Sequence, residues 1–131
     1  MADFINFKSV KRPPKPNTCL AAPENFTLAS EADFAPPVFD MNADALFAKL
    51  VDLISDERRW SKLESDESSK KIKFVATTGL MRFKDDVDVE IIPVSETAST
   101  LAIYSRSRVG YSDLGANRKR VNDLIDRVST N

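Results

Sequence analysis

One stretch near the C-terminus decides the fold: Tyr104-Ser-Arg-Ser-Arg-Val-Gly-Tyr-Ser-Asp-Leu-Gly-Ala-Asn-Arg-Lys-Arg120. Its first part has the composition of the end of a strand, its glycines indicate a tight turn, and its last part begins a helix. It contains two of the three glycines and both tyrosines of the chain. A strand, a turn and a helix in direct succession make this stretch the first place to look for a site.

The segments around this stretch predict a sheet and two helices. A period of two occurs in residues 60–64, 71–78, 86–92 and 100–108, which short turns connect. This pattern predicts an antiparallel meander, to which residues 37–40 add a short edge strand. Apolar residues at helical spacing predict helices over residues 43–55, capped by Asn42, and after residue 113. We therefore expect an α+β fold, with four to five antiparallel strands and two helices packed on one face.

Residues 1–36 differ from the rest of the chain because they contain five of its seven prolines. Proline lacks a backbone donor and restricts the residue before it, so this segment is predicted to be an extended arm outside the core. Residues 37–131 are predicted to form a single α+β domain. The arm is either a solvated leader or an element that docks, through Lys11, Arg12 and Cys19, on a partner protein or an anionic surface. We expect its deletion to leave the domain nearly as stable.

Composition excludes several classes of function. The chain has 131 residues, a formal net charge of −1 and no histidine, which removes Ser-His-Asp and Cys-His catalysis and the usual zinc sites. A near-neutral charge argues against nucleic acid as a partner. Cys19 is the single cysteine, so an intrachain disulfide is excluded. We predict no catalytic residue, metal or cofactor.

The absence of a long apolar run predicts that the chain does not span a membrane. The sequence begins without a basic region followed by an apolar block, so no secretory signal is expected. We expect a cytoplasmic location, with attachment to a membrane surface as the alternative.

Two neighbouring strands are predicted to form a ladder of opposite charges. Alternation places Asp86, Asp88 and Glu90 on one face. A turn centred on Thr97 would set them against the next strand, with Glu90 opposite Tyr104, Asp88 opposite Arg106 and Asp86 opposite Arg108. The three carboxylates could instead hold Mg²⁺ or Ca²⁺, but their spacing is not that of a calcium loop, and we expect a structural role.

The turn after this strand is the candidate ligand site. If no carboxylate forms an ion pair with Arg108, its guanidinium is free beside the start of the last helix, where guanidinium and backbone N–H groups favour an anion. Ser112 or Asp113 is the expected cap of that helix. Asn117 lies on its inward stripe and is expected to bond the backbone of residues 110–113, with a ligand contact as the alternative. The candidate ligand residues are Arg106, Arg108, Tyr111, Ser112, Asp113, Asn117 and Arg118.

The chain resembles an uncharacterised family, domain of unknown function fourteen ninety-nine. The resemblance is carried by residues 104–118 within the stretch quoted above, by Phe83-Lys-Asp-Asp-Val-Asp88 and by Pro16-Asn-Thr-Cys-Leu20. It implies a small α+β domain found in bacteria and in plastid-bearing eukaryotes. It implies no established activity, cofactor or catalytic residue. Members often carry a signal or membrane-anchoring segment, which the start of this sequence does not resemble.

Two hypotheses about function follow. The first is a non-catalytic binding or assembly domain, an accessory subunit that docks through its N-terminal arm on a protein partner, including one in a membrane-associated complex. The second is a protein that binds or converts a small anionic molecule at the turn of Arg106, Arg108, Tyr111 and Asp113. A flat face with closed ion pairs favours the first, and a polar pocket beside Arg108 favours the second.

Overall fold

The structure is a computed structural model that describes residues 3–79 and 82–130. Its elements, in chain order, are β1 (Thr18–Ala21), α1 (Ala43–Asp56), β2 (Trp60–Asp66), β3 (Lys71–Thr77), β4 (Lys84–Pro93), β5 (Ser99–Ser107) and α2 (Ala116–Ser129). The predicted α+β class is confirmed. Among the described residues, neither helix combines the length and the apolar character that crossing a bilayer requires.

The strands form one antiparallel sheet in the order β1-β5-β4-β3-β2. Strands β2 to β5 are the predicted meander, since each one pairs with the next along the chain. The segment predicted as an edge strand, residues 37–40, contributes a single bridge between Phe39 and Ser99. The fifth strand is instead β1, which pairs with the outer side of β5 from Thr18 opposite Arg106 to Ala21 opposite Ile103.

Both helices lie on the same face of the sheet and enclose the main core. Helix α1 begins after Asn42, whose side-chain Oδ1 accepts a hydrogen bond from the Ala45 N–H at 2.8 Å, so the predicted cap is confirmed. The core joins the apolar stripes of the helices to the alternate residues of the strands. Its members include Leu46, Leu50, Ile54, Ile72, Phe74, Val87, Val89, Ile91, Leu101, Ile103, Val121, Leu124 and Val128.

The opposite face of the sheet is covered by the N-terminal segment. A second buried cluster there joins Phe7, Leu20 and Ala22 to Ala102 and Tyr104 of β5. The expectation that residues 1–36 lie outside the core is therefore wrong for this part of the segment. The prolines at 13, 14 and 16 restrict only their own neighbourhood. Residues 18–21 contain no proline and can use the backbone groups along the edge of β5.

Candidate functional site

The loop between β5 and α2, residues 108–115, turns sharply on three residues with positive φ: Gly110 at 86°, Leu114 at 54° and Gly115 at 83°. Leucine is rare in this region because its Cβ crowds the backbone, whereas glycine has no such restriction. Leu114 is also 97% exposed, so burial does not explain its presence. A strained, exposed apolar residue directs attention to this loop as a functional element.

The cap of α2 predicted at Ser112 or Asp113 is corrected, because the residue that precedes the helix is Gly115, which has no side chain to cap it. Asp113 lies two residues earlier and still bonds the first turn through its side chain. Its Oδ1 accepts a hydrogen bond from the Gly115 N–H and its Oδ2 accepts one from the Asn117 N–H, both at 2.9 Å. Burial by itself raises the pKa of Asp113, but these hydrogen bonds and those from the Asn117 side chain outweigh it, so the pKa is lowered. Asp113 is therefore a structural anion that holds the start of the helix.

Asn117 is completely buried where the sequence placed it, on the inward stripe of α2. The two hydrogens of its Nδ2 group are shared among three acceptors, which are Ser107 Oγ at 2.9 Å, Asp113 Oδ2 at 2.7 Å and the backbone oxygen of Asn17 at 2.9 Å. Its Oδ1 accepts from Ser105 Oγ at 2.6 Å. The Asn117 side chain therefore links α2 by hydrogen bonds to β5 and to Asn17, the residue before β1.

The expected partner of Asn117 was the backbone of residues 110–113, and this detail is corrected. Asn17 contacts that backbone instead, because its Nδ2 donates to the Gly110 oxygen at 2.8 Å. Asn17 is itself buried and accepts from Asn117 through its own backbone. Two asparagines in series therefore connect the N-terminal segment, the loop and α2.

A buried carboxylate lies next to this network. Asp85, near the start of β4, is completely buried on the helix face of the sheet. Its Oδ2 is 2.9 Å from Arg120 Nη1, at an angle that is poor for a hydrogen bond, and the Ser107 hydroxyl is a further partner that lowers the pKa of the carboxyl. Burial raises the pKa of Asp85, and the positive charge of Arg120 opposes the rise only in part.

Asp85 forms part of the wall of a cavity of about 290 Å³, which we call the apolar cavity. The cavity lies between the C-terminal end of β3, the start of β4, the 108–115 loop and the first residue of α2. Its apolar wall is formed by Phe83, Val109, Leu114 and Ala116. Phe83, Val109 and Leu114 are also exposed, so they form an apolar rim at its mouth. A desolvated carboxylate in an apolar cavity is the arrangement that ligand sites commonly use for orientation.

Asp85, Arg120 and Phe83 are not among the site residues predicted from the sequence. A signal for Asp85 was present, because it is in phase with Val87 and Val89 on the apolar face of its strand. A charged residue at an inward position requires a partner and marks a site worth examining. The carboxylates that were predicted to matter, Asp86, Asp88 and Glu90, lie on the opposite face of the strand.

The ladder of ion pairs exists and is closed. Arg106 Nη1 donates to Asp88 Oδ2 at 2.8 Å, and Arg108 donates to both oxygens of Asp86 at 2.9 Å. The hydrogen bonds from Arg108 lower the pKa of Asp86. Both arginines are thus occupied by carboxylates of the chain itself, which weakens the case for an anion site between them.

The register of this hairpin differs from the predicted one by two residues. Asp88 lies opposite Tyr104, Asp86 opposite Arg106 and Glu90 opposite Ala102. The ion pairs are therefore diagonal, because the turn is one residue nearer the N-terminus than Thr97 would place it. A shift of two keeps every side chain on its own face, so the ladder survives it.

The remaining candidate ligand residues are dispersed. Tyr111 is exposed, and Ser112 Oγ accepts a hydrogen bond from the Leu114 N–H at 3.3 Å. The guanidinium of Arg118 lies over the ring of Phe34, at 5.3 Å from its centroid. Of these three, only Ser112 belongs to the wall of the apolar cavity.

The three arm residues occupy different environments. Lys11 is exposed. Arg12 donates to both oxygens of Asp33, at 3.0 and 2.9 Å, and Cys19 is completely buried in the main core. Burial raises the pKa of the Cys19 thiol to about 11. Arg12 and Cys19 are therefore engaged within the chain, and a docking role of this segment stays a prediction.

Comparisons with known proteins agree with the sequence and the fold. A family model described as a protein of unknown function, DUF1499, matches residues 13–128. Among solved structures, the di-domain ARO/CYC BexL from the BE-7585A biosynthetic pathway is similar in fold, with a TM-score of 0.54 and 14% sequence identity. The match covers 72% of this chain and 44% of that chain, so this protein spans less than half of that neighbour. No curated protein matches the sequence.

Proposed function

This chain belongs to DUF1499, a family of proteins of unknown function, and on that premise we propose that it is a binding domain for a small, largely apolar molecule. The binding site is the apolar cavity beneath the 108–115 loop. The proposal names binding alone and assigns no reaction.

The observation that carries this proposal is the position of Asp85. A carboxylate that is completely buried loses its hydration, and in this protein the partners Arg120 and Ser107 offset that loss only in part, since the pKa of Asp85 is still raised. A ligand whose hydroxyl or amine donates a hydrogen bond to Asp85 would replace the hydrogen bonds to water that burial removes. The apolar wall would enclose the rest of that ligand.

Two other locations are less favourable. The ladder arginines already bind Asp86 and Asp88, so an anion would have to displace a carboxylate. The basic residue Arg12 of the N-terminal segment is likewise paired with Asp33. An assembly role for residues 1–36 remains a prediction with no supporting contact among the described residues.

Binding of a neutral fluorescent probe, N-phenylnaphthylamine, tests this proposal. We expect saturable binding that a Val109→Ser/Leu114→Ser double variant weakens by about tenfold or more, because it removes two apolar side chains from the cavity wall. The matched control is Leu28→Ser/Val38→Ser, which changes two exposed apolar residues elsewhere. Absence of saturable binding, or equal losses in the two double variants, would contradict the proposal.

A further inference from the structure

A basic groove adjoins the apolar cavity, and it was not expected from a chain whose charges nearly cancel. One cavity of about 310 Å³ has Arg58, Arg59 and Arg82 in its wall and no acidic residue. A second, of about 290 Å³, shares Arg59 with it and adds Lys119. Together the walls of these two cavities, which we call the basic groove, contain six basic and two acidic side chains.

Most of the charge in the basic groove is not neutralised within the chain. Arg127 pairs with Glu57 at 3.1 Å, and Arg120 pairs with Asp85. In the part of the chain that the structure describes, no ion pair involves Arg58, Arg59, Arg82 or Lys119. All four side chains are exposed. Several unpaired cations around one concave surface attract an anion more strongly than isolated surface charges do.

The basic groove and the apolar cavity meet at the end of β3. Thr78 and Gly79 line both cavities of the basic groove and the apolar cavity as well. The Arg59 guanidinium lies directly over Gly79, since a Cβ added to this glycine would be 3.5 Å from Arg59 Nη1. Arg59 is positioned by the sheet, because its backbone oxygen accepts from the Thr77 N–H at 2.9 Å. A molecule that fills the apolar cavity can therefore place one end against a guanidinium.

We infer that the ligand is an amphipathic organic anion with an apolar body and one carboxylate or phosphate group. This inference rests on the proposed function, since it takes the apolar cavity as the site of the apolar body. The anionic group lies in the basic groove, against Arg59 and its neighbours Arg58, Arg82 and Lys119. Guanidinium groups bind both carboxylate and phosphate through paired hydrogen bonds, so the two head groups share one chemistry.

Calorimetric titration with decanoate, decyl phosphate, decanol and inorganic phosphate tests the inference. We expect the two amphipathic anions to bind at least about tenfold more tightly than either decanol or inorganic phosphate, because only they use both surfaces. The variant Arg58→Gln/Arg59→Gln/Arg82→Gln should remove this advantage over decanol. Its matched control, Lys8→Gln/Lys11→Gln/Lys15→Gln, removes three exposed charges from the N-terminal segment and should keep the advantage.

The other outcomes separate the two proposals. Equal affinity for decanol and decanoate would overturn the inference and leave the apolar site intact. Equal affinity for inorganic phosphate and decyl phosphate would show a site for the anion alone and would also overturn the inference. If none of the four ligands binds and the neutral probe does not bind either, the proposed function itself is overturned. Sedimentation with vesicles of phosphatidylcholine and phosphatidylglycerol, without binding of free decanoate, would identify a membrane surface and not a free molecule.

Discussion

At the scale of single residues, Asn117 shows how a polar side chain can be essential to a core. We expect Asn117→Leu to destabilise the protein by about 1–3 kcal/mol, because leucine leaves the buried groups of Asn17 and Ser105 and the half-buried hydroxyl of Ser107 without their partner. Chemical denaturation measures the change. The control is Asn122→Leu, the same substitution at an exposed position of the same helix, which should stay within about 0.5 kcal/mol of the wild type. A neutral Asn117→Leu would show that these groups find other partners.

Asp113 gives a prediction about pH. Its pKa in the folded protein is lowered, so its ionised form stabilises the fold above the unfolded pKa of about 3.9, and this contribution is lost as the pH falls through that value towards the folded pKa. We expect Asp113→Asn to be less stable than the wild type at pH 7 by about 1 kcal/mol. The difference between the two proteins should be smaller at pH 3 than at pH 7, because part of the contribution has then been lost. Urea denaturation at both pH values checks this, and a constant difference would contradict it.

Some site residues followed from the sequence and others did not, for a physical reason. Helical spacing was sufficient to turn Asn117 inward, because it lies one turn before Val121. Its partner Asn17 is far away in the sequence, and only the folded chain brings the two together. The same is true of Asp85 and Arg120, which come from different elements. Local patterns give the direction of a side chain, whereas its partner depends on the packing of whole elements.

At the scale of elements, the two ion pairs of the β4–β5 hairpin provide an internal comparison. The side chains of Asp88 and Arg106 are 6% and 24% exposed, and those of Asp86 and Arg108 are 35% and 45% exposed. We expect a coupling of about 1.5–3 kcal/mol for the first pair, because less water competes for it. The second pair should give about 0.2–1 kcal/mol. Double-mutant cycles with Asp→Asn and Arg→Gln measure both, and equal couplings would show that burial does not decide their strength.

The hairpin also shows what an alternating pattern leaves undetermined. Alternation fixed the face of every residue in β4 and β5, because a shift of one would have turned Val87 and Val89 to water. A shift of two changes no face, so the pattern could not distinguish the predicted register from the observed one. The turn decides instead, through hydrogen bonds from the Val94 and Ser95 N–H groups to the Ala98 oxygen at 3.0 Å.

At the scale of the whole molecule, the N-terminal segment is a structural part of the sheet. Deletion of residues 1–30 removes β1 and uncovers Ala102 and Tyr104, so we now expect loss of the cooperative thermal transition, in contrast to the expectation from the sequence. Calorimetry checks this. Leu20→Ala tests the same point without truncation and should cost about 2–5 kcal/mol. Leu28→Ala, at a position that is 74% exposed, is its control. A truncated protein that melts like the wild type would restore the original prediction.

The pairing of β1 with β5 has a consequence for the order of folding. The meander from β2 to β5 can form from successive hairpins, in which each pair of strands is joined by a short loop. Thr18 pairs with Arg106, which is far away in the sequence, so the loop that this pairing closes is long. During synthesis β1 is made before β5, so it has no partner until β5 has also been made. In that interval the backbone groups of β1 have no strand beside them, and two nascent chains could pair in error. We therefore expect the pairing of β1 with β5 to follow the formation of the meander.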